Sequence, residues 1–178
     1  MINKAIAFGN LVHENQTRKG TDIPYILHPL EAGIIVSQIK YDKDLICAAI
    51  LHDTVEDANV TYCTIEKMFN QRVSDLVRSQ SEDKTKSWKE RKQHTIEYLN
   101  SEADDDIKIV CLGDKLSNIR SLYRDYNILK EELWQRFNVK EKEKHGWYYK
   151  GLLKGLESLS EYRKYQEFNN LVFNVFGE

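Results

Sequence analysis

At 178 residues, with 41% hydrophobic and 30% charged side chains, the chain is sized for one globular domain with a real core, not for a disordered segment. A formal net charge of −2 excludes the broadly basic surface that bulk nucleic-acid binding needs, while leaving room for a local basic pocket. Two prolines and eight glycines leave long stretches unbroken, which favours helices.

In chain order, residues 2–15 place Ile2, Ala5, Ile6, Leu11 and Val12 at roughly helical period. This opening has no long apolar run, so no leader is expected. A polar loop from Gln16 to Ile23 carries Arg18, Lys19 and Gly20, and Pro24 to Leu27 reads as extended or turn. Pro29 suits the first turn of a helix reaching about Lys40, because its missing N–H costs nothing there. Asp42 or Asp44 opens DLICAAILHD, which is apolar nearly all round and is expected to be buried. Thr61 caps a short helix ending near Phe69, and another covers about Val73 to Arg78.

Ser87 with Glu90 is a capping box opening a helix to about Leu99. Asp104, Asp105 and Asp106 crowd the start of a long helix, IKIVCLGDKLSNIRSLYRDY, where the macrodipole favours acids. Trp147 to Phe168 again alternates apolar and charged residues at helical period. No convincing strand alternation, repeat or linker is present. The expectation is a single all-α domain over residues 1–178. Cys47, Cys63 and Cys111 lack CxxC spacing and read as reduced thiols. No stretch approaches the ~18 apolar residues of a membrane span. A cytoplasmic protein without membrane or nucleic-acid partners is expected.

Four residues are spaced like the ligands of one ion: His28, the adjacent pair His52 and Asp53, and Asp114. Two imidazoles and two carboxylates suit a divalent transition metal. His52 and Asp53 end a buried helix, where unpaired charge is costly. Asp114 interrupts an apolar helical run, where Asp is a poor helix former and needs a basic partner or a metal. Asn118, four residues on, shares its face. Glu56 and Asp57 follow the His-Asp pair closely, and a carboxylate beside a metal can orient water or take its proton. Arg18 and Lys19 are natural anion contacts. His13, His94 and His145 read as structural or surface residues. The chemistry that these groups share is metal-dependent hydrolysis.

RKGTDIPYILHP, AAILHDTVED and LGDKLSNIR together resemble the HD-domain (p)ppGpp hydrolases of the Rel/SpoT type, closest to small stand-alone forms without a synthetase domain. The resemblance implies an HD-type helical bundle holding one metal, usually Mn2+; two His and two Asp also accept Zn2+, Fe2+ or Co2+, with Mg2+ a further alternative. It implies His28, His52, Asp53 and Asp114 as ligands, and Glu56 and Asp57 as the acids serving the attacking water. It also implies substrate contacts from Arg18, packed on the guanine, and from Lys19 and Asn118, with Tyr25 and Lys84 where pocket residues would fall. The implied reaction is hydrolysis of the 3′-pyrophosphate of a guanosine polyphosphate. Another nucleotide such as NADPH, or nucleotide binding without turnover, are the alternatives. The aromatic C-terminal segment leaves oligomerisation open. Gly113 stands where the resembled family usually has Ala, and the run from Gln80 to Lys92 departs from its pattern.

Overall fold

The computed structural model describes residues 1–177, and among them the architecture is all-helical. Helices run α1 (Ile2–Val12), α2 (Leu27–Ile39), α3 (Lys43–Leu51), α4 (Thr54–Asp57), α5 (Tyr62–Met68), α6 (Gln71–Gln80), α7 (Trp88–Ser101), α8 (Asp105–Leu129), α9 (Lys142–Gly155) and α10 (Arg163–Phe176). Short 3-10 turns at Lys130–Arg136 and Glu157–Leu159 join the last three. No helix among the described residues is long and apolar enough to cross a membrane.

Helix starts follow from their caps. The side chains of Asp42, Thr61, Asn70 and Asp104 accept N–H groups from the first turns of α3, α5, α6 and α8. Each such cap is worth about 1 kcal/mol. Ser87 and Glu90 form the reciprocal capping box expected for α7. From Leu45 to Leu51 every residue of α3 is buried. The helix packs against α1, α2, α6 and α8. The 25-residue α8, about 37 Å long, is the spine, lying along α2, α3, α6 and α10.

Three local features differ from the sequence reading. α2 begins at Leu27, so His28 stands inside the first turn; Pro29 is tolerated because the first four N–H groups of a helix lack intrahelical partners anyway. The Gln16–Tyr25 loop is a pinned hairpin. Arg18 N–H donates to Ile23 O at 2.8 Å and Tyr25 N–H to Gln16 O at 2.9 Å, around an isolated Thr17–Pro24 bridge. The C-terminal helical stretch is broken after Gly155, where Leu156 and Leu159 turn into the core. α9 and α10 then pack against each other.

Candidate metal centre and its basic groove

The first turn of α2, the C-terminal end of α3 and the middle of α8 meet at one point. His28, His52 and Asp114, all buried, offer one ligand atom each within 4.8 Å of one another. His28 Nε2 lies 3.3 Å and His52 Nε2 3.6 Å from Asp114 Oδ1. Asp53, expected as a fourth member, stands beside this group. Its Oδ2 is 2.9 Å from His52 Nε2 and 3.7 Å from His28 Nε2, and it also accepts the Tyr25 hydroxyl at 2.5 Å.

Proton bookkeeping tests whether a cation fits. His52 Nδ1 lies 2.8 Å from Ala49 O; a carbonyl only accepts, so Nδ1 carries the proton and neutral Nε2 is a lone pair. That Nε2 is buried with no hydrogen-bond partner. In the neutral ring it faces carboxylate oxygens 2.9 and 3.6 Å away, acceptor against acceptor, a clash that a proton or a metal ion at Nε2 relieves. Burial pulls the His52 pKa down, but the charges of Asp53 and Asp114 reverse this and hold it well above the ordinary imidazole value. Burial keeps His28 low despite its bond to Asp114. The cluster therefore draws positive charge to the point where its lone pairs converge. The donor set, two imidazole nitrogens and carboxylate oxygens, fits a divalent cation there.

Side chains behind the cage fix its members. Lys115, mostly but not fully buried, binds Asp114 Oδ2 at 2.6 Å, leaving Oδ1 turned toward the histidines. Burial lowers the ammonium's pKa, but Asp114 more than compensates and raises it well above normal. Desolvation would raise Asp114, while Lys115 and His52 hold it well below the carboxylate range. Ser117 Oγ, 2.8 Å from His28 Nδ1, also donates to Glu31 Oε2 at 2.8 Å. Glu31 in turn pairs with Arg120 at 2.8 Å. None of Lys115, Glu31 and Ser117 was singled out from the sequence. Spacing hints at Glu31 and Ser117, three residues beyond His28 and Asp114, but the pairing itself crosses helices.

Glu56 and Asp57 lie on α4, one turn beyond Asp53. Glu56 Oε1 accepts the Glu82 backbone N–H at 2.7 Å, and burial pushes its carboxyl upward. Lys84, expected in the pocket, spans the two acids. Its Nζ donates to Asp57 Oδ1 and to Glu56 O, each at 2.8 Å. Burial lowers Lys84, but Asp57 outweighs it and the net shift is upward. Glu82 is anchored by Arg91 at 3.0 Å and Lys92 at 2.7 Å. The departing run from Gln80 to Lys92 is thus the buttress of the acid pair.

On the opposite side, Arg18 donates to Asn118 Oδ1 at 2.9 Å, and Asn118 Nδ2 donates to Asp114 Oδ1 at 2.5 Å. This chain of bonds ties the hairpin to the cage. Lys19 reaches Asn138 Oδ1 at 3.0 Å. Tyr25 stacks obliquely on buried His13, ring centroids 5.0 Å apart. Burial, then the Asp53 charge, raise its phenol. Arg18, Lys19, Tyr25 and Asn118 line one cavity of about 280 Å³. Arg18 and His28 also border a second cavity, of about 340 Å³, with Arg120 and Arg124. His94 is exposed on α7, stacked on Tyr98, and is not part of the metal group.

A family model described as HD domain matches residues 5–137. The guanosine-3′,5′-bis(diphosphate) 3′-pyrophosphohydrolase MESH1 of Xenopus tropicalis is 39% identical over 127 residues, 70% of each chain. The Aquifex aeolicus enzyme of the same name, without MESH1, is 34% identical over 124 residues, 68% of this chain. Only 18% of that relative's length is covered. Among solved structures, lmo0812 of Listeria monocytogenes superposes with a TM-score of 0.78 at 31% identity, covering 85% of this chain and 99% of that one. A metazoan SpoT ortholog gives a TM-score of 0.80 at 24% identity, over 97% and 93% of the two chains, a likeness of fold. The matched span runs from α1 through the basic hairpin and the histidine cage to the 3-10 turn after α8, and the chain belongs to the HD domain family.

Proposed function

We propose that this protein is a metal-dependent hydrolase that removes the 3′-pyrophosphate of guanosine polyphosphates, releasing pyrophosphate and GDP or GTP. The observation that carries the reading is the bonded chain Arg18–Asn118–Asp114. It sets an anion-binding hairpin directly against a cage of metal-binding character, the pairing that a phosphorylated nucleotide requires. The names of the MESH1 and Aquifex relatives support the substrate.

His28, His52, Asp53 and Asp114 would hold the metal, for which Mn2+ is the proposed ion. Bound there, a divalent cation supplies Lewis acidity toward a phosphate oxygen and a more acidic water. Glu56, with a carboxyl raised by burial, takes a proton from the attacking water, and Asp57 with Lys84 fixes its position. Arg18 and Lys19 bind substrate phosphates or pack on the base, and Asn118 orients the sugar-phosphate edge. Tyr25 holds Asp53 in place through its hydroxyl.

The test is turnover of purified protein on ppGpp with and without Mn2+, reading pyrophosphate. Metal-dependent release of pyrophosphate is expected. Release of phosphate from NADPH with ppGpp untouched would overturn the substrate, and binding of ppGpp without turnover across several divalent metals would overturn the reaction.

A further inference from the structure

The groove beside the cage contains a carboxylate that the proposed reaction does not use. Asn118, Ser121, Leu122 and Asp125 lie along one face of α8, the face that begins at Asp114, and all four line the 280 Å³ cavity. Asp114 and Asp125 are eleven residues apart on one helix, about 16 Å at 1.5 Å per residue. An extended nucleotide covers that span from its 3′-phosphorus to the far edge of its base, with one bond at each end. The same cavity is lined by the rings of Phe137, Tyr149 and Tyr25, by Leu133 and by the planar guanidinium of Arg18, groups on which a flat base can pack.

From this placement we infer that Asp125 reads the base, accepting the N1–H and exocyclic N2–H of guanine. The inference rests on the function proposed above and adds the determinant of its specificity. The chemistry is directional. A carboxylate only accepts, and the Watson–Crick edge of guanine offers two adjacent donors. Adenine offers a donor and a bare ring nitrogen, so one carboxylate oxygen would face a lone pair.

Asp125 is already oriented. Its Oδ2 accepts from Arg136 at 3.1 Å and its Oδ1 from Arg124 at 3.4 Å. With about four lone-pair sites, the carboxylate retains acceptors for a ligand. Arg136 is itself held against the hairpin tip. A Cβ on Gly20, whose φ is +71°, would come within 2.9 Å of Arg136 Cδ. The 3-10 turn after α8 therefore closes the groove over the same hairpin that carries Arg18 and Lys19.

The plainer role for Asp125 is to anchor Arg136. The two roles separate by base. An anchor would affect every nucleotide alike, whereas a base reader changes the ratio between bases. A site that hydrogen-bonds a substrate N–H rejects the analogue lacking it by large factors, because its own polar group is left unpaired.

The experiment compares kcat/KM, by pyrophosphate release with Mn2+, for the 3′,5′-bis(diphosphates) of guanosine, inosine and adenosine. Wild type is expected to prefer guanosine to adenosine by about 100-fold or more. Inosine, which keeps N1–H and lacks the amino group, should fall between. Asp125→Ala should bring the guanosine-to-adenosine ratio within about tenfold of unity. Asp125→Asn, near-isosteric, should move it further toward adenosine, since an amide presents one donor and one acceptor. Arg136→Gln should raise KM for all three alike.

Equal turnover of guanosine and inosine substrates by wild type would overturn the assignment without any variant. So would an unchanged base ratio in either folded Asp125 variant. Inactivity of metal-loaded wild type on all three substrates would instead overturn the proposed function, and this inference with it.

Discussion

Ser117 Oγ lies 2.8 Å from His28 Nδ1, joining residues 89 apart in sequence. The hydroxyl has one proton, and Glu31 Oε2 at 2.8 Å takes it. Ser117 therefore accepts from Nδ1–H, which leaves His28 Nε2 as the lone pair turned toward Asp114. Removing the hydroxyl frees both the tautomer and the ring orientation. Ser117→Ala is expected to weaken metal binding about 10- to 100-fold, measured by titrating metal-free protein with Mn2+. An unchanged affinity would show that packing alone orients His28.

Asp53 and Glu56 separate holding the metal from using it. Asp53 Oδ2 lies within 2.9–3.7 Å of both imidazole Nε2 atoms, so Asp53→Ala is expected to lose the metal and the activity together. Glu56 is tied to the Glu82 backbone instead. Glu56→Gln keeps an acceptor for that N–H, so metal content by elemental analysis should stay at the wild-type level. Its kcat should drop about 10²- to 10⁴-fold. Full turnover by the Asp53 variant, or metal loss in the Glu56 variant, would reverse these assignments.

How much was legible follows from which residues break local rules. Asp114 stood out because a carboxylate in the middle of an apolar helix needs a reason, and the structure supplies Lys115, His28, His52 and Asn118 around it. Thr61 and Ser87 are readable as caps because capping is decided within four residues, whereas the sequence narrows the starts of α3 and α8 only to Asp42 or Asp44 and to the Asp104–Asp106 run, from which the structure selects Asp42 and Asp104. The Ser117–Glu31–Arg120 chain and the Asp125–Arg136 pair were not readable. Each is an ordinary polar side chain on an ordinary stretch, and only tertiary packing or a 3-10 turn sets its partner. The resemblance gives Lys84 a place near the pocket but not its bonds to Asp57 and the Glu56 carbonyl, which only the fold sets. The break after Gly155 was hidden because a buried turn with Leu156 and Leu159 keeps the apolar spacing of a helix.

Arg72 couples three carboxylates on the outer surface, Asp42 at 3.0 Å, Asp44 at 3.3 Å and Asp106 at 2.7 Å. Lys40, then Arg72, hold Asp106 below its usual range. Burial would raise Asp42, but the Asp44 N–H and Arg72 lower it. Because both folded values are depressed, their contribution is present above the unfolded pKa, about 4. It is lost as the pH falls through the folded values. The groups are partly exposed, so about 1 kcal/mol or less is at stake. Arg72→Gln should lower the Tm at pH 7 and low salt, with the difference from wild type fading below about pH 4 and in high salt. A constant difference from pH 7 to pH 2 would mean that Arg72 acts through packing.

Gly113 marks a close approach of α8 to α2. An added Cβ would sit 2.7 Å from Val36 Cγ2 and 3.0 Å from the Ala32 carbonyl oxygen. The valine methyl can turn away, but the carbonyl belongs to α2 and moves only with that helix, which carries His28. Overpacking costs about 1–3 kcal/mol, against a gain of about 1 kcal/mol from replacing Gly by Ala inside a helix. Gly113→Ala should therefore be neutral to destabilising by up to about 2 kcal/mol, and Mn2+ affinity should fall as α2 shifts. Gly9 provides the opposite case. Its added Cβ would meet only Ile26 Cδ1 and Ile50 at 3.5 Å or more, ordinary van der Waals contact, so Gly9→Ala should stabilise by up to about 1 kcal/mol. Denaturant unfolding of the two variants, with m-values compared to wild type, reads both signs. If Gly113→Ala stabilises as much as Gly9→Ala, the α2–α8 crossing is loose enough to absorb a methyl group, and the close approach does not set the position of His28 against Asp114.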